Sequence, residues 1–176
     1  MRFLLFLTIG AALAQQAQWR AAGHGWTVAV NIAGRHFLKP DFVATLAQEL
    51  GRYPMVPPSA LVLEVTESSA LADLAHAAHI VRECRALGVG VAVDDFGTGY
   101  ASLAYLRQLP VDELKIDQHF VRDILDEKND MALVEAVISL AAVFDRRVIA
   151  EGVETAEHGV LLMRLGCDMA QGYGIA

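Results

Sequence analysis

Cysteine is scarce: only Cys84 and Cys167 occur in 176 residues, too few and too far apart for a zinc motif or a disulfide framework. Cys84 falls on the apolar side of a predicted helix, where a thiol reads as a small buried hydrophobe and not as a redox group. Basic residues are outnumbered, 14 Lys and Arg against 21 Asp and Glu, for a net charge of −7. A sequence-independent grip on DNA or RNA needs a clustered positive patch, so no nucleic-acid polymer is expected as a partner and any phosphate must be held locally. No linker, low-complexity tract or block of like charge divides the chain. Pro54, Pro57 and Pro58 mark a loop ahead of a strand. The N-terminal apolar run is shorter than the roughly 20 residues that a bilayer span requires.

What is present is core material. Hydrophobic residues make up 55% of the chain and charged residues 20%, which argues for one globular domain or part of one, and against disorder. At the N-terminus, Met1-Arg2, the apolar run Phe3 to Gly10 and Ala12-Leu13-Ala14 together resemble a secretory signal. One continuous helix from Phe3 to Ala22, stopped by Gly23, explains the same residues equally well. From residue 24 onward, short β-branched apolar runs alternate with amphipathic stretches, the pattern of repeated βα units. The runs are Trp26 to Ile32, Leu61 to Glu67, Val89 to Phe96, Glu113 to Asp117, Arg147 to Glu154 and a weaker Met169 to Ile175. Between them, Asp73 to Leu87 places Leu74, Ala77, Val81 and Cys84 on one helical face and is stopped by Gly88. Ala132 to Phe144, capped by Asn129 or Asp130, does the same with Leu133, Val137, Leu140, Ala141 and Phe144. The nearly continuous apolar character of the strands suits parallel strands covered on both faces.

Each run carries a polar residue near its end that a core strand has no need of: Asn31, Glu64 with Glu67, Asp94 with Asp95, Lys115 with Asp117, Glu151 with Glu154, and Gln171. In a (β/α) barrel the C-terminal ends of successive strands converge on one mouth. In an open sheet they lie in a row. Polar groups from every unit favour the barrel. The set is rich in carboxylate and amide oxygen and holds no histidine, which suits Mg²⁺ or Mn²⁺ better than zinc or copper. An isolated Asp-Asp pair reads as a turn cap; Asp94-Asp95, between an apolar strand and the glycine-bearing segment Phe96 to Tyr100, reads as a metal site. Lys115 either balances these acids, binds an anion or poises a water, or else forms a structural salt bridge with Asp117 or Glu151. His76 and His79 fall on the polar side of their helix and read as solvated.

These residues resemble a known family, the EAL-domain cyclic-di-GMP phosphodiesterases. The matching segments are Val30-Asn31-Ile32, Glu64-Val65-Thr66-Glu67, Asp94-Asp95-Phe96-Gly97-Thr98-Gly99-Tyr100, Leu114-Lys115-Ile116-Asp117, Glu151-Gly152-Val153-Glu154 and Gln171-Gly172-Tyr173. The resemblance implies a TIM-barrel-like α/β fold of EAL type with about six βα units present. It covers residues 9–176 and leaves 1–8 as an extra segment. It implies hydrolysis of cyclic di-GMP to linear pGpG with two divalent cations, Mg²⁺ or Mn²⁺. Asn31, Glu64, Asp94 and Asp95 then correspond to metal ligands, and Lys115 and Glu151 to the catalytic groups that hold or activate water. Glu67 corresponds to the acid anchoring the loop after Asp95, and Gln171 and Asp117 to the substrate rim. A cytoplasmic location, a homodimer through Phe96 to Tyr100 and a sensory or GGDEF domain in a longer parent are further implications.

Departures accompany the match. The Glu-Ala-Leu segment that names the family, and the Arg-Pro or Lys-Pro segment expected after the last strand, have no counterpart in these residues, so the barrel is expected to be truncated at both ends. Ala33 and Ala101 stand where the family usually has serine, and Gln118-His119 follows Asp117. Two rival classes follow. One is a catalytically inactive EAL-like module that binds cyclic di-GMP or a protein partner. The other is an unrelated barrel with Lys115 as a Schiff-base nucleophile.

Overall fold

A computed structural model describes residues 2–98 and 103–175. Its elements run α1 (Arg2–Ala21), β1 (Val28–Asn31), α2 (Gly34–Phe37), α3 (Phe42–Gly51), β2 (Leu61–Thr66), α4 (Glu67–Leu71), α5 (Leu74–Ala86) and β3 (Gly90–Phe96). They continue with α6 (Leu103–Gln108), β4 (Glu113–Ile116), α7 (Gln118–Arg122), α8 (Lys128–Val143), β5 (Arg147–Glu151), α9 (Ala156–Leu165) and β6 (Met169–Gln171). The strands are hydrogen-bonded in chain order from β1 to β6. Each strand expected from the sequence is present, trimmed at one or both ends, most of all the last, which is three residues long.

Two compact units make up the chain: Met1–Ala92 with Gln108–Pro110, and Val93–Arg107 with Val111–Ala176. In the first, α1 is a single helix, and it buries Ile9, Leu13 and Gln16 on one face. No helix among the described residues is long and apolar enough to cross a membrane. β1 and β2 pair in parallel with Val28 opposite Leu61 and Asn31 opposite Glu64. The first five residues of β2 are all buried, as parallel strands covered on both faces require. Phe37 and Phe42 close the core edge to face, with ring centroids 5.4 Å apart. Helix α5 starts where expected, because the Asp73 carboxylate accepts the His76 backbone N–H at 3.1 Å. It ends in a Schellman turn: Val89 N–H donates to the Cys84 carbonyl and Gly88 N–H to that of Arg85, with Gly88 at φ +85°. His79 is exposed, whereas the His76 ring is half-buried and meets the Leu38 carbonyl at 3.1 Å.

In the second unit β4, β5 and β6 are parallel neighbours, with Ile116 opposite Ala150 and Glu151 opposite Gln171. The Arg147 guanidinium pairs with the buried Glu113 carboxylate at 2.5 Å where β4 and β5 begin. Helix α8 corrects the sequence reading twice. It starts four residues early, at Lys128, so neither Asn129 nor Asp130 caps it; Asp130 lies in its first turn, where a negative charge meets the positive end of the helix. Its buried face is Val134, Val137, Ile138 and Ala141, with Leu133, Leu140 and Phe144 half-buried. β4 stops at Ile116, and Asp117 is the first residue beyond it. The expected dimer segment Phe96 to Tyr100 is described only as far as Thr98. Gly99, Tyr100 and Ala101 lie outside the described residues.

Candidate active site

Adjacent residues of an extended strand point to opposite faces, so Asp94 and Asp95 would ordinarily diverge. Asp95 avoids this by adopting φ +55°, a left-handed conformation uncommon outside glycine. Its carbonyl accepts the Thr98 hydroxyl at 2.8 Å, and its N–H donates to Asp94 Oδ1 at 3.2 Å. Both carboxyls therefore serve one cluster: an oxygen from each of Asp94, Asp95 and Glu151 lies within 4.8 Å of the others.

Lys115 reaches this cluster from β4 with a side chain only 6% exposed. Its Nζ stands 2.5 Å from Glu151 Oε1 and 3.4 Å from Asp94 Oδ1. Gln171 Nε2 donates to the same Glu151 oxygen at 2.6 Å, as their register on β5 and β6 dictates. Glu151 is thus held by two donors on one oxygen. Gly152 follows at φ +72°, and a Cβ there would stand 2.6 Å from that of Gln118, so only glycine lets the turn after β5 pass the start of α7.

Burial, then the charges of Asp94 and Asp117, push the Asp95 carboxyl above its ordinary pKa, against the pull of Lys115. Asp117 is shifted the opposite way. Burial alone would raise it, but the His119 backbone N–H and ring, together with a hydrogen bond from Asp95, hold it below the ordinary value. Asp117 caps α7 and is buried, with Oδ1 accepting the His119 N–H at 2.7 Å and meeting the ring Nδ1 at 2.6 Å. The sequence reading assigned His119 no part; its only signal was the Asp-x-His spacing of a capping residue and its donor.

In the first unit, Asn31 ends β1 exposed and Glu64 lies opposite it on β2, buried. The Glu64 carbonyl accepts the Ile32 N–H at 2.8 Å. Glu67 opens α4 and is almost completely buried. The structure brings Asp94, Asp95, Lys115, Glu151 and Gln171 into one connected group in the second unit, bonds Asp117 to His119 at the start of α7, and sets Asn31 beside Glu64 in the first unit. The three carboxylates of the cluster are hard donors with neither thiolate nor imidazole among them, a set that fits an oxygen-seeking divalent cation.

Residues 2–176 match the family model described as EAL domain. The chain is 40% identical over 163 residues to the bifunctional diguanylate cyclase/cyclic di-GMP phosphodiesterase MucR of Pseudomonas aeruginosa, over 92% of this chain and 24% of that protein. To a second protein of that bacterium, a cyclic di-GMP phosphodiesterase, it is 39% identical over 176 residues, which is 100% of this chain and 30% of the relative. The chain therefore spans less than a third of the length of either. Among solved structures, a complex of the PaMucR phosphodiesterase with c-di-GMP superposes with a TM-score of 0.89 at 39% identity, over 95% of this chain and 68% of that one.

Proposed function

Because this chain belongs to the EAL-domain family and has its TIM-barrel-like α/β fold, we propose that it acts as a cyclic-di-GMP phosphodiesterase domain that opens one phosphodiester bond to give linear pGpG. The observation that carries this reading is the Asp94, Asp95, Glu151 and Lys115 cluster, three carboxylates around one buried ammonium. The activities named for its relatives and the ligand in the related complex support the choice of substrate.

Two Mg²⁺ or Mn²⁺ ions are the proposed cofactors, held by Asp94 and Asp95 and, by their family correspondence, Asn31 and Glu64. Bound cations would supply charge neutralisation to a dianionic substrate and acidify a bound water. The chain's own groups do the rest. Glu151, fixed by Lys115 and Gln171, accepts the proton of the attacking water as the new P–O bond forms. Lys115 keeps that carboxylate oriented and donates a hydrogen bond to oxygen at the reacting centre. The ribose oxygen leaves as the old P–O bond breaks and takes its proton from solvent. Glu67 is assigned to loop anchoring, and Gln171 and Asp117 to the rim beside the nucleotide. We place the domain in the cytoplasm, in a longer protein carrying a sensory or GGDEF domain, with a homodimer contact through residues 96–100.

The test is conversion of cyclic di-GMP to pGpG with Mn²⁺, run beside a variant carrying Glu64→Ala and Asp94→Ala. Turnover by the parent and none by the variant is the expected result. No turnover by either, from folded samples, overturns the enzyme reading, and calorimetric binding of cyclic di-GMP then identifies a binding module.

A further inference from the structure

Helix α9 turns one charged and apolar face to solvent. Leu125, from the turn ahead of α8, joins Ala156, Glu157, Val160, Leu161 and Arg164 in lining an open groove of about 400 Å³ within the second unit. Leu125 is 45% exposed and Val160 42%, so the groove leaves apolar surface in water between charged ends, the make-up of a contact surface. Glu157, Val160, Leu161 and Arg164 follow the i, i+3, i+4, i+7 spacing of one helical face. Both charged residues are exposed, and neither is in a salt bridge among the described residues. They stand about 10 Å apart along the axis, too far to neutralise each other. The midpoint between them falls between Val160 and Leu161, which makes the stripe self-complementary. Turned end for end about that midpoint, an identical helix sets its arginine against Glu157, its glutamate against Arg164 and its two apolar residues against Val160 and Leu161. A two-fold contact between identical chains has this pattern. Each chain carries a net charge of −7, so two copies repel unless opposite charges meet locally, and the crossed pairs supply that meeting.

We propose that this face of α9 is a homodimer contact: its groove receives the α9 of a second copy, running antiparallel, with Glu157 of each chain paired to Arg164 of the other. The surface is separate from residues 96–100, and it does not depend on the phosphodiesterase reading.

Sedimentation velocity over a concentration series compares the parent chain with Glu157→Arg, with Arg164→Glu and with an equimolar mixture of the two, and circular dichroism confirms folding. Alone, each variant sets like charges against each other at both ends of the contact, arginine on arginine in the first and glutamate on glutamate in the second. Each is expected to self-associate at least about tenfold more weakly than the parent. In the mixture every facing pair is again opposite in sign, so association is expected to return close to that of the parent. A parent that stays monomeric at every concentration overturns the proposal and leaves the groove to a different chain. Variants that associate as the parent does overturn it and place the association on another face. A mixture as weak as its two components overturns it as well, because opposite charges across this contact then do not matter. Turnover of cyclic di-GMP is no part of the readout, so failure of the phosphodiesterase reading leaves this result standing.

Discussion

Lys115 is the residue on which the cluster's electrostatics turn, because its ammonium separates Glu151 from Asp94. Lys115→Met leaves those carboxylates facing each other. The expected cost is roughly 3 kcal/mol of stability and a fall in turnover of about 100-fold or more. Added Mg²⁺ should recover part of the lost melting temperature, since a cation replaces the missing charge; thermal melts with and without Mg²⁺ check this. Asp117 gives a pH-dependent prediction. A carboxyl whose folded pKa lies below its unfolded value contributes stability that is present above the ordinary carboxylate range and is lost as pH falls through the folded value. The melting-temperature gap between the parent and Asp117→Asn should therefore be widest near about pH 7 and close toward about pH 3. At this scale the sequence located the strands that carry Asp94 and Glu151, and the structure brings a carboxylate oxygen of each into one cluster. It carried β4 one residue too far, through Asp117, because a strand's last residue and a helix's cap are the same kind of polar punctuation. Only the hydrogen bonds of His119 separate them.

Among the elements, α5 was readable from both ends, since Asp73 caps it and Gly88 stops it by specific backbone chemistry. Gly88→Ala forces a Cβ into left-handed backbone and to 3.3 Å from Pro58. It should cost about 1 kcal/mol, a drop of roughly 2–4 °C in Tm by thermal denaturation. Helix α8 was read with its face only partly right, Val137 and Ala141 being common to the expected and the buried stripe, for a physical reason. Met131, Ala132, Leu133, Val134, Ala136, Val137, Ile138, Leu140, Ala141, Ala142 and Val143 are apolar nearly all the way round, so two adjacent stripes fit the helical period and only packing against α7, β4 and β5 chooses between them. Val143, left 76% exposed, is the residue of that choice.

For the whole molecule, the recurrence of one polar group per βα unit made the fold and the candidate site legible together. The left-handed turn at Asp95 was invisible, since nothing in an Asp-Asp pair announces which of the two will leave the strand. Both thiols are buried. Burial pushes Cys84 up to about 12 and also raises Cys167, whose sulfur donates to the Val148 and Met169 carbonyls. Thiol labelling of the native chain near about pH 8 should be negligible, and both cysteines should react once denaturant is added. The backbone at Asp95 has a last consequence. A non-glycine residue held left-handed carries a cost of about 1–2 kcal/mol, and this one also keeps a carboxyl crowded by two others. Asp95→Gly relaxes the first burden and both variants relieve the second, so Asp95→Gly and Asp95→Asn should melt above the parent. Selection for heat resistance alone would then gain by erasing an acid that the proposed cation site must keep.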